Sequence, residues 1–451
     1  MRTLILTAAL LTLGAYSGAA RPQQADWRTK YISVDAPALL LKNVRIIDGT
    51  GAPASEGQSL LLEQGRIKAV GRDIAVPSGV RTLDLQGRTV MPGLVMLHEH
   101  MMYFSGRSVW HAQPASYPKL YLAAGVTTLR TGGTEHPDVD RNLKARIDGG
   151  FVPGPNMHLT GPYFNGAASD FLGDTRLSSA EDARAAVAYW TGRGFKSLKV
   201  YDAIEPEVAR ALIDEAHRRG AKISGHLGKT GCAEAAALGI DFIEHAFVSC
   251  VKDLGITPNG KGYVADLDDP KVAALIRTLV DANVVLVSTP VDLKRPLGDE
   301  AMAMLHPQAL DNYKKTFGAP WWPDSDGRRE LRKLERAFVQ AGGRLALGAD
   351  AMDFGLVAGY ANHRVLALLV EDGWTPAEVI RMATSGGADL LGIGDRAGRI
   401  APGMNADLIV IDGNPLDDIR AIERIEWVVK DGAVYDPAKL REAAKGLVGW
   451  Q

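Results

Sequence analysis

Between residues 93 and 394, short runs rich in Val, Ile and Leu alternate with stretches of helical periodicity. This rhythm restricts the fold more than any other feature of the 451-residue chain. The strand-like runs are GLVML, VTTLRT, NMHLT, SLKVY, KISGH, DFIEH, VVLVST and RLALGAD. Between them, EPEVARALIDEAHRRG and DPKVAALIRTLVDAN space their apolar residues as helices do, and ELRKLERAFVQAGG closes on glycine. Eight strands alternating with helices point to an α/β fold, a (β/α)8 TIM barrel rather than an open sheet.

The flanks read differently. In "PALLLKNVRIIDGTGAPASEGQSLLLEQGRIKAVGRDIAVPSGVRTLDLQGRTVMPG", apolar runs are cut at close intervals by Gly, Pro, Asp and Asn, which is strand–turn–strand spacing. The same texture returns in GRIAPGMNADLIVIDGNPLDDI and RIEWVVKDGAVYD. Segments 38–92 and 395–437 are therefore expected to meet as one small β-sandwich domain beside a barrel at 93–394. Residues 21–37 then read as a linker, and 438–451 as a C-terminal tail.

The opening MRTLILTAALLTLGAYSGAA carries one basic residue, an apolar stretch from Leu4 to Tyr16, and small residues from Ser17 to Ala20. That pattern reads as a secretory signal peptide at 1–20, cut after Ala19 or Ala20. The apolar stretch is short for a membrane span, and no cysteine stands ready for a lipid anchor. The expectation is an exported chain, periplasmic or secreted, with no membrane association after cleavage. Cys232 and Cys250 are the two cysteines; export would permit a bridge, and two free buried thiols fit equally well. A net charge of −2 offers no electrostatic reason to expect nucleic acid as a partner. A small-molecule substrate is the expected partner, and a homo-oligomer is left open.

A (β/α)8 barrel builds its active site at the C-terminal ends of its strands. In VMLHEHMMYF, His98 and His100 stand two residues apart, so a strand aims both to one side and Glu99 to the other. Two neutral imidazoles converging on one point suit a metal ion. Alone the motif is weak, since ordinary core or surface histidines account for it. Yet Lys199 in FKSLKVYD, His226 in ISGHLG, His245 in FIEHA and Asp350 in LGADA fall at the ends of the fourth, fifth, sixth and eighth strands. One geometric hypothesis covers all six residues.

This order of residues on a barrel with a split β domain resembles the amidohydrolase superfamily in its binuclear-metal form. MPGLVMLHEH resembles the first-strand motif, and GVTTLRTGG the second strand. HRVLALLVEDGWTPAEVIRMATSGGADLLGIGDRAGRIAPGMNADLIVIDGNPL resembles the closing stretch of imidazolonepropionase-like and prolidase-like members. Met96 stands where many relatives carry Asp, a departure that removes a neighbour of the site but no ligand.

The resemblance implies two divalent metal ions, zinc by expectation. His98, His100 and Asp350 would hold one, and His226 and His245 the other. Lys199, carboxylated on its amine, would bridge them, since a carbamate supplies two oxygens and a negative charge where an ammonium would repel two cations. Lys196 is the rival, and Lys199 is preferred for its LKVY context. The implied chemistry is attack by metal-activated hydroxide on a polarised carbonyl, with Asp350 shuttling the proton to the leaving group and no organic cofactor. A mononuclear deaminase ranks low, because ISGHLGKTG lacks the Glu such enzymes carry near the fifth strand.

Tyr103, His136 and Tyr201 are candidate substrate contacts on the barrel rim, with ordinary packing the competing role for both tyrosines. Trp321 and Trp322 offer either an apolar wall or an anchor for a long loop. The leading expectation is hydrolysis of an amide bond in a dipeptide or N-acyl amino acid. Cyclic amides and xenobiotic amides, carbamates or ureas are alternatives. A non-catalytic metal- or ligand-binding barrel protein is the alternative of a different class.

Overall fold

The eight strand-like runs become eight barrel strands in a computed structural model that describes residues 27–104, 110–171, 173–257, 260–319, 326–353 and 355–449. The expected signal peptide and the Trp321–Trp322 pair lie outside the described residues. In order, the strands are Leu94–Glu99, Val126–Thr131, Asn156–His158 with its continuation Thr160–Gly166, Ser197–Val200, Lys222–Gly225, Phe242–Glu244, Val285–Ser288 and Arg344–Leu347. Neighbours run parallel, with Met96 beside Leu129, Lys199 beside Ser224 and Leu286 beside Leu345.

Two joints complete the ring. At the break in the third strand, the Thr160 N–H donates to Thr131 Oγ1 at 2.7 Å. At the seam, the Asp350 N–H donates to the His98 carbonyl at 3.1 Å. Gly348 makes that approach feasible, since a Cβ there would lie 2.3 Å from the His98 Cβ. Parallel neighbours need long crossovers, which the helices supply. Pro206–Arg218 is representative: it starts on a proline, buries Val208, Leu212, Ile213 and Ala216 against the barrel, and gives way to Gly220 at φ +69°.

The two β segments meet as expected. Among the described residues they form one nine-stranded sheet, in which Thr89–Pro92 pairs antiparallel with Leu408–Ile411 and Met91 faces Ile409. Leu39, Leu41, Leu60 and Leu62 from the first segment share an apolar cluster with Leu408, Val410 and Val429 from the second. Gly93 alone separates this sheet from the first barrel strand.

Two stretches are more structured than their sequence suggests. From Trp27 onward the expected linker is ordered, with a helix at Trp27–Tyr31 and a strand at Ile32–Val34 that pairs with Ala433–Tyr435. Three residues of alternation are too few to mark a strand by periodicity. The expected C-terminal tail is packed rather than loose: it carries the helix Pro437–Glu442, buries Leu440 and Val448, and accepts the His306 N–H at the Val448 carbonyl, 2.8 Å away. Cys232 and Cys250 are joined in a disulfide, which decides the alternative left open by their number.

Candidate active site

His98 lies within the first strand and His100 one residue past its end. Lys199 lies in the fourth strand. His226 and His245 immediately follow the fifth and sixth, and Asp350 follows the eighth by three residues. All six line one cavity of about 180 Å3. The backbone bends sharply at two of them, with φ +59° at His245 and +49° at Asp350. The candidate ligands thus cluster at, or just past, the C-terminal ends of the strands.

Hydrogen bonding at the far ring atoms decides what the HxH pair can do. His98 Nδ1 lies 2.7 Å from Glu244 Oε2, and His100 Nδ1 lies 3.0 Å from the Gly133 carbonyl. Both partners accept, so each Nδ1 carries a proton and each Nε2 turns inward. Burial holds His100 below the usual histidine range, whereas at His98 the carboxylates of Glu244 and Asp350 outweigh burial and raise it. Those two Nε2 atoms are 3.3 Å apart. Asp350 Oδ1 lies 3.0 Å from that of His100 and 3.3 Å from that of His98. This buried oxygen meets no hydrogen-bond donor among the described residues. Two imidazole nitrogens and a carboxylate oxygen gathered this closely fit a metal cation, and imidazole with carboxylate is a ligand set that divalent ions accept. Ligand atoms of His98, His245 and Asp350 all fall within 4.8 Å of one another.

The second half of the cavity is also ready to bind a cation. The rings of His226 and His245 lie 4.6 Å apart. Burial, reinforced by Lys199, pushes His226 down to about 3, and burial holds His245 well below the usual histidine range. Both are therefore neutral at physiological pH, the state that offers a lone pair. Burial likewise brings Lys199 down to about 8. Lys196 is exposed and precedes the strand, so it is Lys199 that faces the cavity. Asp350 stays well below the usual carboxylate range: burial alone would raise it, and the imidazoles of His98 and His100 outweigh that.

Of the three rim residues, the structure brings only Tyr201 to the cavity, with its ring 4.8 Å from that of His226. Tyr103 is a correction. After His100 the chain leaves the barrel for a hairpin, pairing Met102–Phe104 with Trp110–Ala112, and the Tyr103 ring packs in the core near Tyr117. His136 is another. It sits at the start of the helix Pro137–Asp148, with Nε2 2.9 Å from the Trp110 carbonyl.

Sequence reasoning passed over several residues here. Tyr163, Trp110, Arg328 and Asp353 also line the cavity. Glu244 holds His98, and is itself held by Arg130 at 2.7 Å. A signal for that pair was present: TTLRT and FIEH each place a charge in an otherwise apolar barrel strand, and buried charges seek opposite partners.

Residues 89–434 match the Amidohydrolase family. An ochratoxinase of Aspergillus niger is 24% identical over 449 residues, spanning 86% of this chain and 85% of the relative. An imidazolonepropionase of Chromobacterium violaceum is 26% identical over 422 residues, spanning 80% of this chain and 87% of the relative. Among solved structures, a Xaa-Pro dipeptidase with methionine bound in its active site superposes with a TM-score of 0.69 at 20% identity, covering 88% of this chain and all of its own. With the family matched along most of its length and the ligand-type residues gathered at the barrel mouth, the chain belongs to the amidohydrolase family and is a hydrolase of carbon–nitrogen bonds.

Proposed function

We propose that this chain is an exported hydrolase that uses two divalent metal ions, zinc the first choice, to cleave the amide bond of a dipeptide or N-acyl amino acid. The observation that carries the substrate class is Arg328. Its side chain, from the helix Asp326–Gln340, lines the same small cavity as the histidines, and its charge is felt at His226 and Asp353. A guanidinium on that wall matches the free carboxylate that such substrates carry at one end. Dipeptidase and ochratoxinase relatives agree with an amide-bond substrate.

His98, His100 and Asp350 would hold one ion, His226 and His245 the other, and Lys199 would bridge them once carboxylated. When bound, the ions would polarise the scissile carbonyl and make a bound water acidic near neutral pH. The protein's own part is distinct. With Lys199 lowered to about 8, a useful fraction of its amine is neutral and able to add to CO2, releasing a proton to solvent. Asp350 takes the proton of the attacking water on its carboxylate and delivers it to the departing nitrogen. Glu244 fixes the ring of His98 so that Nε2 faces inward. Burial keeps the Tyr201 hydroxyl protonated, available to donate to the substrate. A disulfide between Cys232 and Cys250 supports export, since such bridges persist in oxidising compartments.

The test is a substrate screen on the mature protein from about residue 21, a start set by the signal pattern, reconstituted with zinc and bicarbonate. N-acyl amino acids and dipeptides are compared with their methyl esters, and released amines are counted by mass spectrometry. Release from the acids and little from the esters is expected. Equal release would discard the carboxylate class, and release from neither would discard amide hydrolysis.

A further inference from the structure

The HxH motif contains a third residue that the chemistry above leaves unused. Glu99 lies between the two histidines, points to the opposite side of the strand, and is 0% exposed. Its Oε1 accepts two hydrogen bonds, from the Ala349 N–H at 2.9 Å and from Asn362 Nδ2 at 2.8 Å. Asn362 is fixed in turn, because its Oδ1 accepts the Gly359 N–H at 3.0 Å, where the helix Tyr360–Glu371 begins. Glu99 Oε2 meets no donor among the described residues. A fully buried carboxyl group is costly, so stability alone would favour an aliphatic side chain here.

What this carboxylate holds is the residue before Asp350. Asp350 sits at φ +49°, a left-handed conformation that a non-glycine residue keeps when its surroundings enforce it. Three hydrogen bonds define the turn. Gly348 N–H donates to the Ser288 carbonyl at 2.9 Å, Ala349 N–H to Glu99, and Asp350 N–H to the His98 carbonyl at 3.1 Å. Only the middle one is made by a side chain. Without it the 348–349 peptide loses its anchor and the turn leading into Asp350 can relax toward extended geometry, which would swing the Asp350 carboxylate away from the two Nε2 atoms.

We infer that Glu99 is a positioning residue: through the Ala349 amide it holds Asp350 in the left-handed turn that aims its carboxylate at His98 and His100. The inference rests on the proposed function for what Asp350 does, and on geometry for how Asp350 is held. Because both donors converge on one oxygen, an amide carbonyl can replace it. Glu99→Gln is therefore the rescuing variant and Glu99→Leu the disabling one.

The experiment measures zinc affinity of the metal-stripped mature protein by chelator competition, alongside kcat and KM at saturating zinc. Glu99→Leu is expected to weaken zinc binding about 10- to 100-fold. It should lower kcat by a similar factor, with KM within about threefold and thermal stability at or above that of the parent. Glu99→Gln should stay within about threefold of the parent on every count. Parental zinc affinity and kcat in Glu99→Leu would overturn the inference, as would equal impairment in Glu99→Gln. If the parent hydrolyses no amide, the zinc measurement alone decides, so the two readings fail separately. Should Glu99→Leu not fold, Asn362→Ala frees the Glu99 carboxylate instead: weaker zinc binding supports the inference, and unchanged binding overturns it.

Discussion

In the proposed reaction Asp350 would answer two demands that pull against each other. To bind a cation it must be ionised, which the neighbouring imidazoles secure against the effect of burial. To move a proton it must also reach both the attacking water and the leaving nitrogen, which its place at the end of the eighth strand allows. Asp350→Asn keeps the shape and removes the proton acceptor, so kcat should fall about 10²- to 10⁴-fold while the circular dichroism spectrum stays unchanged. A non-catalytic binder would keep its ligand affinity through the same change. Arg328 carries the complementary test. Arg328→Met should raise KM for carboxylate-bearing substrates about 10- to 100-fold, the equivalent of one lost charge-assisted hydrogen bond, and leave the matched methyl esters nearly unaffected. An equal effect on acids and esters would reassign Arg328 to packing.

The helix Asp326–Gln340 that presents Arg328 also presents Glu335, two turns on and therefore on the same face. Glu335 Oε2 accepts from Ser288 Oγ at 2.6 Å, and burial pushes the carboxyl up to about 7. Its folded-state value is thus above its unfolded one, so the folded protein holds a proton that the unfolded chain releases. The stabilisation is complete below about pH 4.5 and declines as pH rises through 7, at about 1.4 kcal/mol per unit between those limits. Glu335→Gln should flatten that decline, being more stable than the parent at pH 8 and losing the advantage toward pH 5 in thermal melts. Nothing in ELRKLERAFVQAGG announces this. Its 3.6-residue period shows which face is buried, not that a buried Glu will meet Ser288. Glu244 and Arg130 meet the same limit in part: each stands as a lone charge in its strand, but that the two would meet across 114 residues was not legible. Strand ends were legible because Gly, Asp and His punctuate apolar runs, and that sufficed to single out His98, His100, Lys199, His226, His245 and Asp350, which the fold brings to one cavity. Tyr103 and His136 were misplaced because their positions depend on how the chain turns after leaving a strand, which periodicity does not encode.

Both ends of the chain close on one another in the nine-stranded sheet, so the barrel sits on a base that local sequence could not complete. Beyond the C-terminal ends of the barrel strands, a disulfide joins two of the loops. Cys232 opens the helix Cys232–Ala237 beyond the fifth strand, and Cys250 ends the turn Ala246–Cys250 beyond the sixth. The bridge therefore ties together the two loops that begin at His226 and His245. It closes a loop of 18 residues, for which lost chain entropy in the unfolded state predicts about 3 kcal/mol of stabilisation. For a chain this long that corresponds to a melting shift of about 3 °C. The double variant Cys232→Ala, Cys250→Ala should melt lower by that amount. Dithiothreitol present throughout the melt should lower the parent to the same temperature and leave the variant alone. Protein made in an oxidising compartment should show the higher value, and protein made in a reducing cytoplasm the lower. A parent that melts identically with and without reductant would show that the two loops are held by packing alone. It would also remove the disulfide's support for export.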